Sequence, residues 1–451
     1  FFMAGMCFFM LIGEVNMTYI VRNDVPALSL RQLKAVIVVN RTKNVTKAAK
    51  ALNRSQTAVT KSINDLEASL NCRLFERTPT GMKPTVYGKA VAKRAQLALD
   101  ELQKAGEVYS SFVRDARPYQ RIPIFSMDVS YKRLAAFIAL FETKRIQCAA
   151  DMLGNSKASV YSSVRQMEEW LKLRLFESEP DGVSPTAFGK ILAMHVKMAF
   201  AEIRRCLEDI ESINGVTQGT VSIGTLPYTR TYITPKAINQ VLRDHPELHV
   251  TTQEGSYETM EAALRSGDID LIVGAVREHD EEADITTEIL FEDKLSVIAR
   301  RDHPLMTQRQ ITLQQLPELA WVLPARCSPA WHLFNELLQR YRLSMPKQAI
   351  HTSSLSMVRG LLIDSDRVAL LSEHQIYYEK QCGLLDVLPV ELPETYRPIG
   401  VTMRKASQPS PAARLFLDQL RAVAKCVQGI AVAKQAMRGQ IRAILPILAS
   451  A

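Results

Sequence analysis

Apolar positions in the first third of the chain fall on one side of successive helices. Leu33, Val36 and Ile37 open the pattern, and Val59, Ile63, Leu66 and Leu70 repeat it at three- and four-residue steps. The face opposite the second set carries Gln56, Thr57, Thr60 and Lys61, so that helix is buried on one side and polar on the other. Between these stretches, Val45-Thr46 predicts an N-cap for a short helix from Lys47 to Leu52, Asn53-Arg54 a tight turn, and Ser55 a second cap. Arg73 to Thr85, around Pro79-Thr80-Gly81, predicts short extended segments forming a wing. The Pro-free stretches Lys89 to Phe112 and Lys190 to Ile213 predict long helices. In the second, Leu192, Val196, Ala199, Ile203, Leu207 and Ile210 form a seam that requires a partner, either another helix or the helix's own winged module. Arg114 to Ser126, with Pro118 and Pro123, predicts a connector.

From Gly219 the texture becomes short apolar runs alternating with amphipathic stretches. Thr220–Gly224, His249–Glu254, Ile269–Gly274 and Leu295–Ala299 predict strands, and Pro235–Arg243 and Tyr257–Ser266 predict helices. The pattern repeats loosely over Ala320–Leu323, Pro329–Arg340, Gln348–His351, Leu355–Ile363 and Arg367–Leu371, which predicts two lobes of parallel sheet covered on both faces. Phe291 to His303 and Pro398 to Arg404 are the predicted crossings. Such sheets take ligands at the carboxyl ends of their strands, where helix N-termini offer free N–H groups. Thr225, Leu226, Pro227, Arg326, Ser328, Thr352 and Ser353 occupy such places and are candidate contacts for an anionic or polyhydroxyl small molecule. Ser328, Thr352 and Ser353 serve equally well as plain helix caps, and the two uses are compatible.

The first half is internally repeated. At an offset of 101 residues, Ala48-Ala49 falls on Ala149-Ala150, Leu52 on Leu153, Ser55 on Ser156 and Val59 on Val160. Arg73-Leu74-Phe75-Glu76 likewise falls on Arg174-Leu175-Phe176-Glu177, and Gly81, Gly88 and Lys89 on Gly182, Gly189 and Lys190. Two short helices meeting at a tight turn, the second polar at its start, are what a major-groove reader requires. Gln56, Thr57 and Lys61 are candidate base-edge readers and Arg54, Thr78, Lys83 and Thr85 candidate phosphate contacts; Ser55, Thr60 and Arg77 complete the predicted DNA-binding set.

Charge separates the two copies. Residues 29–89 hold 12 Lys/Arg against 3 Asp/Glu, whereas residues 130–190 hold 9 against 7. The first copy therefore matches the whole chain's net charge of +9 and is the one equipped to neutralise phosphates. In the second copy Lys157 stands for Gln56, Tyr161 for Thr60, Ser162 for Lys61 and Ser178 for Arg77. The core positions persist while the contact positions do not, so the second copy is expected to fold but to read DNA weakly or not at all.

At 451 residues, 47% hydrophobic and 23% charged, the chain has room for several packed domains and is not a disordered polypeptide. Seven scattered cysteines without a Cys-x-x-Cys pair point to a reducing compartment without structural zinc. The apolar start, Phe1 to Gly13, lacks a basic region and is too short to span a bilayer; Met17 is a reasonable initiator. No phosphate-cradling glycine loop, nucleophile elbow or paired-carboxylate motif occurs, so catalysis has no candidate residues and no cofactor or metal is expected.

The run Val45 to Ile63, with Leu66-Glu67 and Arg73-Leu74-Phe75-Glu76-Arg77, resembles the DNA-binding domain of LysR-type transcriptional regulators. The alternating C-terminal half is similar to their bilobal effector-binding domain, itself similar to periplasmic binding proteins, and the resemblance extends from Leu28 to about Val423. It implies a multidomain protein: an α-helical winged helix-turn-helix in two copies plus a bilobal α/β periplasmic-binding-protein-like domain. The expected boundaries are an extension at 1–27, a winged module at 28–88, linker helix and connector at 89–126, and a degenerate second module at 127–189. A linker helix at 190–215, the effector-binding domain at 216–423 and an extension at 424–451 complete them. Implied partners are double-stranded DNA and a small-molecule effector, in a cytoplasmic homodimer or homotetramer without membrane contact. One winged module is the family norm, so the duplication leaves open which linker helix dimerises. A ligand-binding transferase with a DNA-binding appendage, and an architectural protein gripping DNA with both copies, are the alternatives.

Overall fold

The computed structural model describes residues 28–79, 81–113, 118–216, 218–277, 284–326, 328–405 and 408–428; the expectations for 1–27, Thr80, 114–117 and 429–451 fall outside them. The described residues divide near Gly219 into two compact units. In the first, α1 (Leu30–Thr42) is followed by α2 (Val45–Ala51) and α3 (Gln56–Leu70). The cap of α2 is Asn44, whose side chain accepts from Lys47 N at 3.0 Å, so this helix starts two residues before the expected Lys47. Asn53 takes the left-handed turn at φ 51°. Ser55 caps α3, accepting from Ala58 N at 3.1 Å, and Val59, Ile63, Leu66 and Leu70 are its buried face. The antiparallel pair β1 (Phe75–Thr78) and β2 (Gly81–Pro84) forms the wing. The long helix α4 (Val86–Phe112) begins three residues ahead of the expected Lys89, because Thr85 caps it by accepting from Gly88 N at 3.1 Å.

The same plan recurs in α5 (Tyr131–Thr143), α6 (Ile146–Leu153), α7 (Lys157–Leu171), β3 (Phe176–Glu179), β4 (Gly182–Pro185) and α8 (Ala187–Ile213). The repeat reaches individual hydrogen bonds. Glu67 Oε1 accepts from the backbone N–H groups of Leu74 and Phe75 at 2.7 and 3.1 Å, and Glu168 Oε1 from those of Leu175 and Phe176 at 2.8 and 3.4 Å. Gly81 and Gly182 sit at φ 133° and 155° with no room for a Cβ, which would lie 2.3 Å from the carbonyl oxygens of Lys43 and Lys144. The connector is not a loose tether. Ile122, Ile124 and Phe125 are buried, and the space over Gly106 is filled by Tyr119 and Phe125.

The second unit is one sheet in the order β10 (Gln348–His351), β9 (Ala320–Leu323), β11 (Val368–Ser372), β8 (Ile285–Arg300), β13 (Tyr396–Arg404), β7 (Leu271–Ala275), β5 (Gly219–Thr225), β6 (Leu248–Glu254), with β12 (Leu385–Val387) on β8. One lobe contains β5 (Gly219–Thr225), α9 (Ile233–Asp244), β6 (Leu248–Glu254), α10 (Tyr257–Ser266) and β7 (Leu271–Ala275). The other contains β9 (Ala320–Leu323), α11 (Pro329–Arg340), β10 (Gln348–His351), α12 (Leu355–Ile363) and β11 (Val368–Ser372). Two strands join them: β8 (Ile285–Arg300) pairs with β13 (Tyr396–Arg404) through Lys294, then with β11 from Leu295. Both run antiparallel to their neighbours, so the sheet is mixed where strand-helix alternation predicted a parallel one. Alternate residues face opposite layers: Val297, Trp321 and Leu323 join Phe334 and Leu338, while Ile298 and Val322 join Val358 and Leu362. A helix over 411–428 closes the first lobe, and its Phe416, Leu420, Ala424 and Val427 are core residues.

Candidate nucleic-acid interface and ligand cleft

The polar face of α3 is presented as the sequence predicts. Gln56, Thr57 and Lys61 are exposed, Thr60 is half-buried, and Ser55 is exposed while its hydroxyl caps the helix. Gln56 Oε1 accepts from Thr46 Oγ1 at 3.3 Å, which steadies the side chain at the helix start. On the wing Arg77 and Lys83 are exposed, whereas Thr78 donates to Gly81 O at 3.1 Å. Thr85 Oγ1 accepts from Gly88 N and donates to Arg73 O at 2.7 Å, so this hydroxyl shapes the joint between wing and α4. Arg54 Nη2 lies 3.9 Å from Asp128 Oδ1, beside the tighter Lys34–Asp128 pair at 2.6 Å. Asp128 lies beyond the first module in sequence, and nothing in the first module's own pattern signals it.

The partner of the long helix is found within the chain: α4 packs against α8. Arg94 Nη1 pairs with Glu202 at 2.9 Å, and His195 Nδ1 with Glu101 at 3.0 Å. Arg94 also bonds Asp209 through Nε at 2.7 Å, and Glu202 bonds Arg205. Burial pushes Glu101 up, but hydrogen bonds from His195 and Lys104 outweigh it and hold the carboxyl below its ordinary value. At one end Tyr87 Oη donates to Asn214 Oδ1 at 2.6 Å; Tyr109 and Phe112 meet Phe188 at ring-centroid distances of 5.6 and 5.4 Å, so the helices run antiparallel. Part of α4 also packs on α1 of its own module. The α8 seam, with Leu192, Val196, Ala199, Ile203 and Ile210 buried, therefore meets a helix of the same chain, where the family resemblance implied a helix of a second one, and α8 also packs on α5 of its own module.

A cavity of about 240 Å³ lies between the lobes of the second unit. Leu226, Pro227, Ser328, Thr352 and Ser353 line it; Thr225 and Arg326 do not. Thr225 is buried below the cavity floor, donating to Gln253 O at 3.1 Å, because β5 continues through it. Arg326 is exposed and lies off the lining. Three helix starts reach the cavity: Ser256 before α10, Ser328 before α11 and Ser353 before α12. The caps are in place, since Ser328 Oγ accepts from Trp331 N and Ser354 Oγ from Met357 N, each at 3.3 Å.

The polar wall residues that went unrecognised in the sequence include Tyr228, Ser256, Glu258, Arg277, Gln375 and Arg397. The Arg397 guanidinium lies 4.8 Å from the centre of the Tyr228 ring. Its Nε is buried and has no hydrogen-bond partner among the described residues. Burial pulls the Arg397 pKa down and pushes Asp293 up, and Ser372 Oγ donates to Asp293 Oδ1 at 3.0 Å behind the wall. No sequence motif marks Arg397; its place on a crossing strand beside the cavity is the only signal. Among the described residues no group of three or more His, Cys, Asp or Glu is placed to hold a metal, and no helix is long and apolar enough to cross a membrane.

Comparison with known proteins gives a consistent result. The family described as "Bacterial regulatory helix-turn-helix protein, lysR family" matches residues 30–89 and again 131–190, and "LysR substrate binding domain" matches 214–425. The HTH-type transcriptional regulator GalR of Pseudomonas putida is 34% identical over 400 residues, covering 89% of this chain and 98% of that protein. PcaQ of Agrobacterium fabrum is 26% identical over 296 residues, 66% of this chain and 95% of its own length. Among solved structures, the LysR family regulator CbnR aligns at 16% identity with a TM-score of 0.49, covering 66% of this chain and 99% of that one.

Proposed function

The chain belongs to the LysR family of bacterial transcriptional regulators, with helix-turn-helix DNA-binding and effector-binding domains, and from that premise we propose how its own residues divide the work. Helix α3 enters the major groove with Gln56, Thr57 and Lys61 at base edges, while Arg77 and Lys83 of the wing hold phosphates. The observation that carries this reading is the exposed polar face of α3 on a module with 12 Lys/Arg against 3 Asp/Glu. Ser55, Thr60, Thr78 and Thr85 sit at the same surface and shape it, and Arg54 contributes less because Asp128 already accompanies it. The test is fluorescence anisotropy of the full chain on its own upstream DNA across a salt series. Affinity falls steeply with salt, and Gln56→Ala costs about 1–3 kcal/mol on the cognate site with little effect on unrelated duplex. A salt-independent or absent affinity for every duplex refutes the reading.

The second unit takes a small anionic effector. Three helix N-termini and the side chains of Arg277 and Arg397 meet at one cavity against a single carboxylate, Glu258, a field that favours negative charge over a neutral polyhydroxyl. Its volume of about 240 Å³ suits a small metabolite. Thermal shift with a series of small carboxylic acids and their amides tests it: acids raise the melting temperature, the matching amides do not, and Arg397→Met abolishes the shift. An amide as effective as its acid sinks the anionic assignment. Binding biases the two lobes toward one arrangement and so changes how the regulator bends its DNA. The protein works in the cytoplasm, and homodimers or homotetramers of the chain use surfaces other than the α4–α8 seam.

A further inference from the structure

We propose that the N-terminal unit is a complete two-module reading head made from one chain, in which α3 reads one groove and α7 is brought to the same duplex as a weaker, non-identical reader. The target is then an asymmetric site rather than a palindrome. This rests on the proposed entry of α3 into a groove.

The argument starts from the seam. Arg94 pairs with Glu202, and Glu101 pairs with His195. An offset of 101 residues turns Arg94 into His195 and Glu101 into Glu202, so the two contacts are one contact written twice. Residue i meeting j while j meets i is the signature of a two-fold interface. All four side chains are buried, so this face of α4 is already occupied. A two-fold that exchanges two antiparallel helices stands perpendicular to the plane they share, and rotation about an axis leaves height along it unchanged. Helices α3 and α7 are therefore level with each other, on the same side of the seam. A duplex laid across the axis against α3 also meets α7.

The chemistry of the second reader differs. Ser156 caps α7 as Ser55 caps α3, accepting from Ser159 N at 3.2 Å. Its first turns expose Lys157, Tyr161 and Ser162, and Tyr161 is 55% exposed with no packing role in its module. A lysine and an aromatic ring at a helix start fit phosphate and base edges. The wing works against them: Glu177, Glu179 and Asp181 are all exposed where the first copy has Glu76, Thr78 and Gly-flanking Thr80. Carboxylates facing phosphates repel, so the second half-site is held by α7 without help from its wing.

Hydroxyl-radical footprinting of the full chain on its upstream DNA decides the matter. Wild type is expected to protect two patches about one helical turn apart and of unequal strength. Lys157→Ala/Tyr161→Ala removes the weaker patch, keeps the stronger, and lowers affinity about tenfold, with a salt slope smaller by about one. Glu177→Gln/Glu179→Gln/Asp181→Asn deepens the weaker patch and raises affinity several-fold. All these residues are exposed, and unchanged thermal unfolding confirms that the fold is intact. Two patches indifferent to both sets of changes overturn the proposal, because α3 helices from two chains would then be making them; a single patch in wild type also overturns it. Loss of all protection on Gln56→Ala/Lys61→Ala with the second-reader variants still binding is expected, whereas no protection by wild type on any duplex is failure of the α3 reading itself.

Discussion

Replacing Arg94 with Met tests how much the seam contributes to the N-terminal unit. Arg94 is 2% exposed, and its guanidinium spans Glu202 at 2.9 Å and Asp209 at 2.7 Å. Methionine fills most of the aliphatic volume, so the cost is electrostatic: two carboxylates lose their cation in a dry place. Breaking such a pair costs about 3–5 kcal/mol. Two features of the site pull the estimate to the lower end. Glu202 keeps Arg205, and the Asp209 side chain is 16% exposed and finds water. At about 3 kcal/mol and a urea slope near 2 kcal/mol per molar, the midpoint of the unit falls by roughly 1.5 M. Because the chain forms two compact units, a global probe would mix their transitions, and the assay is urea titration read by hydrogen exchange on peptides from α4 and α8. Arg94→Lys restores only part of the loss, since one ammonium cannot span both acceptors. An unchanged midpoint in Arg94→Met would refute the view that the buried charges hold the two helices together.

Three other outcomes follow from single groups. Gly88→Ala puts a Cβ 1.9 Å from Leu74 O, so the wing must move off the start of α4; stability drops by about 1–3 kcal/mol and DNA affinity falls with it, measured by melting and anisotropy. The Cys206 thiol, pushed up to about 12 by burial, stays unalkylated by iodoacetamide at pH 8 while exposed Cys382 and Cys426 react, as mass spectrometry of the native protein shows. Glu101 is more acidic folded than unfolded, so its contribution to stability is full above the ordinary carboxylate range and disappears as pH falls through the folded value. Glu101→Gln flattens that acid limb in a pH series of urea midpoints, and an unaltered limb contradicts the assignment.

Much of this arrangement is legible in the sequence because local periodicity and caps dictate it. The polar face of α3, the Ser55 cap, the wing and most strands of the second unit coincide with their expected ranges. Departures occur where a distant partner decides. Asn44 displaces Thr46 as the cap because its side chain reaches Lys47 N, a competition that residue type alone does not rank. The connector reads as a loop from its prolines, yet Ile122, Ile124 and Phe125 pay their own way by covering Gly106 and the surface around it. Thr225 lies within a strand that runs one residue further than Gly224, which turns its hydroxyl to Gln253 O and away from the cavity. Arg397 was illegible because a lone arginine in a strand has no pattern; only the folded sheet brings it beside Tyr228.

Covalent linkage explains why the two modules diverged in the places they did. When two winged modules belong to separate chains, each interface residue is present twice and identically, and the association entropy is met by the seam alone. Here the connector ties α4 to the following module, so docking of α8 is intramolecular at high effective concentration. The seam still needs its buried charges, because an unpaired one costs several kcal/mol wherever the partner comes from. Surface residues carry no such penalty: Tyr161 stands exposed where the first copy has half-buried Thr60, and Ser178 where it has exposed Arg77. Packing residues thus recur at an offset of 101 residues while exposed polar ones differ, and under the proposed reading an asymmetric head is the physical consequence.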